Sequence, residues 1–313
     1  MKSALIALVA LLSSYGFAQE SDTIPPNWIL QSTYSLNGTQ SSFVNWNAGG
    51  SNNISLLGSI DASAKYSKNK IKWDNDLGLA LGGLQYIGKN ADKGLQKTDD
   101  RIDFATSFGY KMKEFWYLSL LADFKTQFLD GFDPSNDSVR TSSFMAPAYD
   151  NIALGIDYTP NKHLTIFLSP VAGKLTHVRD QVLANAGAFG VDPAELDITT
   201  GDIITAGKMF RGEFGAYFKF KYNNALGKNI EMKSKLELFS NYLVNPENID
   251  VNAEVIFNFK VNSWLSASLN WNLIYDHDIK ILDAKGGFGP RTQFKSVLGL
   301  GISYTMKNYE EKK

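Results

Sequence analysis

The chain contains no cysteine, which excludes a disulfide framework, a thiolate metal site and a lipidated-cysteine anchor. It has three histidines, His163, His177 and His277, and none begins a His-x-Ser pattern that would bring a base and a nucleophile to one face of a strand. Long hydrophobic runs are also missing. After Ala4–Leu12 no stretch approaches the roughly 20 apolar residues of a transmembrane helix. Charge of one sign is not in excess, with 31 basic and 32 acidic residues, so the concentrated basic face of a nucleic-acid binder is absent and no such partner is expected. No cofactor is expected either.

The first residues read as an address: Lys2 as a basic start, the short apolar run, then Gly16-Phe17-Ala18 as a small-x-small cleavage site. Residues 1–18 are expected to be a signal peptide and 19–313 a single domain. Attachment to a membrane then has to come from the fold.

Apolar and polar residues alternate with period two through most of that domain. Ile102, Phe104, Phe108, Tyr110 and Met112 share one parity, and Asp103, Ala105, Ser107, Gly109 and Lys111 the other. Successive strand side chains point to opposite faces, so one face can meet lipid and the other a polar interior. The negative mean hydropathy, −0.19, is compatible with this because only alternate residues contact lipid. Strands are expected near 28–42, 51–66, 70–86, 98–113, 115–130, 148–160, 163–178, 208–222, 229–244, 249–262, 263–279 and 292–306. The expected fold is all-β: an antiparallel up-and-down transmembrane β-barrel of about 12 strands.

Tight links at 67–69, 113–114, 160–162 and 262–263 interleave with long ones near 87–97, 131–147, 179–207 and 280–291. Short turns mark the periplasmic end of such barrels and long loops the outside, so both termini are expected in the periplasm. Tyr66, Trp73, Tyr110, Trp116, Tyr158, Tyr222 and Tyr304 all have outward parity beside the short turns, forming an aromatic girdle. A soluble sandwich would alternate as well, without reason to align aromatics on one rim.

The inward parity carries Asp61, Lys65, Lys72, Asp74, Asp76, Asp103, Asp123, Lys125, Arg211, Glu213, Lys219, Glu231, Lys233, Lys235, Glu237, Glu254 and Lys260. Two readings fit: opposite charges on neighbouring strands pair into a stiffening network, or the charges line a solute pathway. An intermediate strand number does not decide between a filled interior and an open channel.

Thr39-Gln40-Ser41-Ser42-Phe43-Val44-Asn45-Trp46-Asn47-Ala48-Gly49-Gly50-Ser51-Asn52-Asn53-Ile54-Ser55 resembles the N-terminal signature of an uncharacterised, Bacteroidetes-type outer-membrane β-barrel family, a domain of unknown function with an N-W-x-A-G-G core. The likeness continues through Trp73-Asp74-Asn75-Asp76-Leu77-Gly78 and to the last strand. It implies a barrel and carries no activity, ligand or functional residue. Physically, Gly49-Gly50 suits positive φ in a turn, Asn45 can bond the local backbone, and Trp46 beside Ala48 can anchor at an interface. Ligand recognition is the alternative. The last strand resembles the C-terminal assembly signal of outer-membrane barrels through Gly299, Ile302 and Tyr304, departing from it at Val297 and in the charged tail. This implies contact with the barrel-assembly machinery.

Among loops, 180–207 is the expected moving or plugging part. Val182–Phe189 is apolar, and Asp192-Pro193-Ala194-Glu195 has the pattern of a helix start. The 131–147 loop reads as solvated surface. His277 lies between Asp276 and Asp278, which could orient the ring or join it at a metal. The favoured function is a non-enzymatic channel or binding protein for a small polar solute, in contact with outer-membrane lipid. A closed display barrel with partner-binding loops comes second and a lipid-modifying enzyme third; the oligomeric state is left open.

Overall fold

In the computed structural model, residues 27–42, 51–88, 91–133, 136–262, 264–282 and 287–309 are described. Residues 1–18, expected as a leader, and Asn45, Trp46, Ala48, Gly49 and Gly50 lie outside them. Twelve long strands make up the fold: β1 (Trp28–Ser41), β2 (Asn53–Lys68), β3 (Ile71–Tyr86), β4 (Leu95–Lys113), β5 (Trp116–Thr126), β6 (Ala148–Tyr158), β7 (Leu164–His177), β8 (Phe210–Gly227), β9 (Ile230–Asn241), β10 (Ile249–Lys260), β11 (Leu265–Tyr275) and β12 (Gln293–Lys307). Each pairs antiparallel with its chain neighbours, and β1 pairs with β12 to close the ring. The seam joins Tyr34 to Tyr304 in register. The Asn308 side chain reinforces it, accepting from Leu30 N–H at 2.7 Å and donating to the Trp28 carbonyl at 3.0 Å.

Alternation explains both faces. On β4, Phe104, Phe108, Tyr110 and Met112 are exposed on the outside, while Asp103, Ala105, Ser107 and Gly109 pair in register with inward residues of β5. Leu36, Leu56, Leu120, Leu154, Leu168, Leu298 and Leu300 continue the apolar band around the outside. Such an area cannot stay in water, and closure satisfies every strand edge, so the barrel is transmembrane. At the turn end aromatic rings gather: Trp28 lies 5.1 Å from Tyr66 and 5.6 Å from Trp73, and Trp116 lies 4.5 Å from Tyr158. Asn69, with φ of 55°, makes the two-residue β2–β3 turn, a conformation asparagine tolerates better than most residues.

A bulge breaks the alternation of β7. Ser169 pairs with Tyr217 and Ala172 with Gly215, so three steps on β7 match two on β8. Pro170 cannot donate a ladder bond and sits in the bulge. The buried Ser169 hydroxyl replaces the missing contact by donating at 2.7 Å to the Leu154 carbonyl and accepting from Val171 N–H. Glycines flank it because the neighbouring backbones close in. A Cβ on Gly155 would lie 2.2 Å from the Leu168 carbonyl oxygen, and one on Gly215 would lie 1.8 Å from that of Ser240. Beyond the bulge the inward parity of β7 changes from odd to even.

Several expected boundaries move. β5 ends at Thr126 and β11 at Tyr275, while β8 continues to Gly227. The expected helix at Asp192 is absent: Glu195–Leu196 is a short strand paired with Ile203–Thr205. Asp192 is drawn instead to Lys208, through a 2.7 Å ion pair and a backbone bond from Lys208 N–H. The helix lies earlier, as α1 (Gln181–Asn185), capped by Asp180, whose carboxylate accepts from the amides of Val182 and Leu183. The 131–147 loop is also more than solvated surface. It contains a hairpin of Gly131–Asp133 with Asn136–Ser142, and its Ala146 is fully buried against Val178, Leu183, Ala184 and Val191.

Candidate functional site: the barrel interior

All the sequence-predicted inward charges have inward register, yet their main pairings differ from those of neighbouring strands. Arg101 on β4 donates at 2.9 Å to Glu254 on β10, six strands around the ring in either direction. Lys221 on β8 reaches Asp76 on β3 at 2.8 Å, and Lys125 on β5 bonds Glu237 on β9. Lys72 on β3 reaches Asp157 on β6 at 3.3 Å. These side chains cross the interior. Neighbour pairing survives at Lys235–Glu254, 3.6 Å apart, while Lys72–Asp74 and Lys233–Glu231 pair within a strand at 3.3 and 3.9 Å.

The cross-lumen row divides the interior. On the β5–β9 side Leu121, Ala153, Phe167, Ala172, Tyr217 and Phe239 form a buried cluster. Polar groups are enclosed with it. Glu237 accepts from Lys125, from Lys219 at 3.1 Å, from Tyr217 Oη at 3.0 Å and from Asn252 Nδ2 at 3.2 Å, so its charge is compensated from several directions. Asp123 accepts from Asn151 Nδ2 at 2.7 Å and lies 3.8 Å from Lys219.

The other side, from β11 through β12 and β1 to β2, presents Ser266, Ser268, Asn270, Gly299, Ser303, Thr33, Ser35, Ser59 and Ser63 to the interior. These side chains are too short to meet the opposite wall. The consequence shows in two inward carboxylates: the Asp61 side chain is 52% exposed and that of Asp123 2%. Among the described residues Asp61 makes one ion pair, to Arg101 at 4.0 Å, and that guanidinium also faces Asp103 at 3.6 Å. Lys65 and Lys260 are exposed toward the turn end. A cavity of about 80 Å³ lies among Lys65, Asp74, Asp76, Asp157, Lys219 and Lys221.

At the loop end a second cluster forms. Lys174 contacts Asp250, Asp276 at 2.9 Å and Glu213 at 3.7 Å. Arg211 binds Glu213 at 2.7 Å, Asp278, and the Gly190 carbonyl at 3.1 Å. The 188–190 segment is thereby tied to a lumen arginine and to the loop after β11, across the mouth. Asp276 and Asp278 are thus engaged by Lys174 and Arg211 and not by the ring of His277, whose Nδ1 lies 3.3 Å from Tyr275 Oη. His177 Nε2 lies 2.9 Å from Asp150, and His163 Nδ1 lies 2.9 Å from the Asn223 carbonyl.

Sequence reasoning missed Arg101, Asp157, Lys221, Asp250 and Lys174. Arg101, Lys221 and Asp250 share parity with inward charges already named on their strands, and Asp157 has the parity opposite to outward Tyr158, so a complete reading of alternate positions would have found them. Lys174 was hidden because the bulge reverses parity ahead of it.

Against known families, residues 39–132 match a family described as a protein of unknown function (DUF3078). Residues 204–285 match a second, likewise of unknown function (DUF481). The first match starts at Thr39, where the resemblance begins, and ends well before the last strand. No curated protein matches the chain. Among solved structures, the translocator domain of the autotransporter NalP from Neisseria meningitidis is 10% identical, with 97% of this chain and 94% of that one covered and a TM-score of 0.36. An outer membrane channel from Pseudomonas putida F1 is 11% identical over 94% of this chain and 100% of its own, with a TM-score of 0.38. The NanC porin is 8% identical over 86% and 98%, with a TM-score of 0.36. Likeness at this level carries no information about cargo. The closed antiparallel ring, apolar exterior and aromatic rim are the architecture of the outer-membrane class.

Proposed function

We propose that the protein is a non-enzymatic outer-membrane barrel that admits a small polar solute along the open half of its lumen, with the loop end outside and both termini in the periplasm. The observation that carries this reading is the exposure of Asp61 midway along β2, set within a wall of hydroxyls and amides, while the opposite wall is packed. A solute that exchanges its water for hydroxyl and amide partners suits such a surface. The 180–207 loop, tied to Arg211 and Asp278, then acts as a partial cover.

Planar-bilayer recording tests the reading. Intact protein is expected to show a small conductance that rises when Val182–Phe189 is deleted, and a cysteine at Ala188, unlike one at Asn161, is expected to label from outside intact cells. If intact and loop-deleted proteins both fold without conducting, the channel reading is abandoned.

The second reading, a closed display barrel, draws on the loop core of Ala146, Val178, Leu183, Ala184 and Val191. Beside this core lies an open cleft of about 480 Å³ bordered by Asp130, Arg140, Ser143, Phe144, Arg179 and Asp180. Its natural test is capture of a partner that the loop-deleted barrel no longer binds.

A further inference from the structure

The turn end carries a charge pattern that solute passage does not use. Lys68 and Lys70 flank Asn69 in the β2–β3 turn, Lys113 ends β4, Lys162 lies between β6 and β7, and Lys228 lies between β8 and β9. All five are exposed, and none takes part in an ion pair among the described residues. Acidic company there is sparse among the described residues: Glu114 is exposed in the β4–β5 turn, and Glu231 lies 3.9 Å from Lys233.

The lysines stand just beyond the aromatic girdle. Tyr66 precedes Lys68, Tyr110 precedes Lys113 and Tyr158 precedes Lys162. Lys70 Nζ sits 5.8 Å from the centroid of the Tyr110 ring. Rings of this kind mark the headgroup level of a bilayer. Ammonium groups two to four residues further along the chain therefore stand at the depth of lipid phosphates, on a surface continuous with the lipid-facing band.

We propose that this rim binds the anionic headgroups of phospholipids in the leaflet it faces. The lysines exceed the acids around them, so a zwitterionic headgroup, bringing its own cation, leaves them uncompensated, whereas a headgroup with a net negative phosphodiester neutralises them. An ammonium near an anionic membrane surface gains free energy that falls off within a Debye length. Lysine stems lying along the girdle rings keep their apolar part in the interface while the charge meets phosphate. At the loop end, by contrast, Arg140 is paired to Asp130 and Asp180, and Lys208 to Asp192.

The test uses the full-length protein in phosphatidylcholine vesicles carrying either spin-labelled phosphatidylglycerol or spin-labelled phosphatidylcholine, and reads the immobilised fraction of each label. Association of phosphatidylglycerol is expected to exceed that of phosphatidylcholine at least about twofold and to fall toward parity as salt rises. The variant K68Q/K70Q/K113Q/K162Q/K228Q is expected to lose the preference, while K93Q/K208Q, altered at the loop end, keeps it. If the five-site variant fails to fold, the salt titration and the loop-end variant decide. Equal association of the two labels, a salt-insensitive preference, or a preference retained by the folded five-site variant would overturn the proposal. So would binding of an acidic protein at the rim in the absence of any lipid preference.

Discussion

The two walls of this barrel are built from the same strand geometry and have opposite interiors. From β5 to β9 the inward positions include aromatic rings and long charged side chains, and the wall fills: Phe167, Tyr217 and Phe239 pack together while Lys125, Lys219 and Glu237 neutralise one another among them. From β11 to β2 the inward positions are mostly serine, threonine, asparagine and glycine, which stop short of the opposite wall; Lys295 on β12 is an exception, reaching Asp99 on β4 at 3.0 Å. Side-chain length and not strand number therefore decides which half of a twelve-stranded ring is closed. The cross-lumen pairs Arg101–Glu254 and Lys221–Asp76 mark the border.

The difference can be broken most severely at Glu237. Glu237→Ala leaves Lys125 and Lys219 enclosed without their shared carboxylate, and should cost about 3–5 kcal/mol in urea unfolding followed by heat-modifiable mobility. Asp61→Asn, the corresponding change on the open wall, should cost less than about 1 kcal/mol. Equal costs would show that the two interiors are not distinct. Next in size is the outer face, where the asymmetry should vanish. Leu120 on β5 and Leu298 on β12 both face outward and are exposed, so arginine at either should destabilise by about 2–4 kcal/mol near the bilayer midplane. A large disparity would mean that one of them faces something other than lipid.

Smaller effects separate two serines. From alternation alone Ser119 looks like a tolerant lumen position, but it is 1% exposed, and a Cβ on Gly109 would lie 2.8 Å from its hydroxyl. Ser119→Asn should therefore cost about 1–3 kcal/mol by overpacking, whereas Ser59→Asn on the open wall should be near neutral in the same unfolding assay. The mildest effect belongs to the loops. The amides of Thr199 and Thr200 bond the Asp197 carboxylate and hold its pKa below the ordinary range. A depressed carboxylate pKa contributes stability above the unfolded value and loses it as pH falls through the folded one. Amide-exchange protection at Thr199 and Thr200, corrected for the intrinsic rate, should stay flat from neutral pH down to about 5 and decline only below about 4. Earlier loss would point to another titrating group.

Much of the ring was legible in the chain because period-two alternation is a local signal. The β4 pattern of Phe104, Phe108, Tyr110 and Met112 names the strand, its outer face and its girdle residue together. Strand ends were less legible. β5 stops at Thr126 because the amides of Phe128 and Leu129 turn away to the carboxylate of Asp100, a contact nearly thirty residues distant in sequence. The helix start at Asp192 was misplaced for a similar reason. Both Asp180 and Asp192 can cap a helix, and the one that does so is followed by Leu183 and Ala184, which bury against Ala146 and Val178 from outside the segment.

What the amino-acid order determined by itself is the set of local alternatives: which residues face lipid, where rings and lysines gather, and that charges line the inside. Only the closed ring decided which charges meet. Arg101 and Glu254 lie 153 positions apart in the chain and become partners because twelve strands with this register set β4 opposite β10. Only packing decided that the β5–β9 half fills while the β11–β2 half stays open. Parity tells a side chain which face it is on; how far it must reach to find a partner is a property of the space that all the strands enclose together.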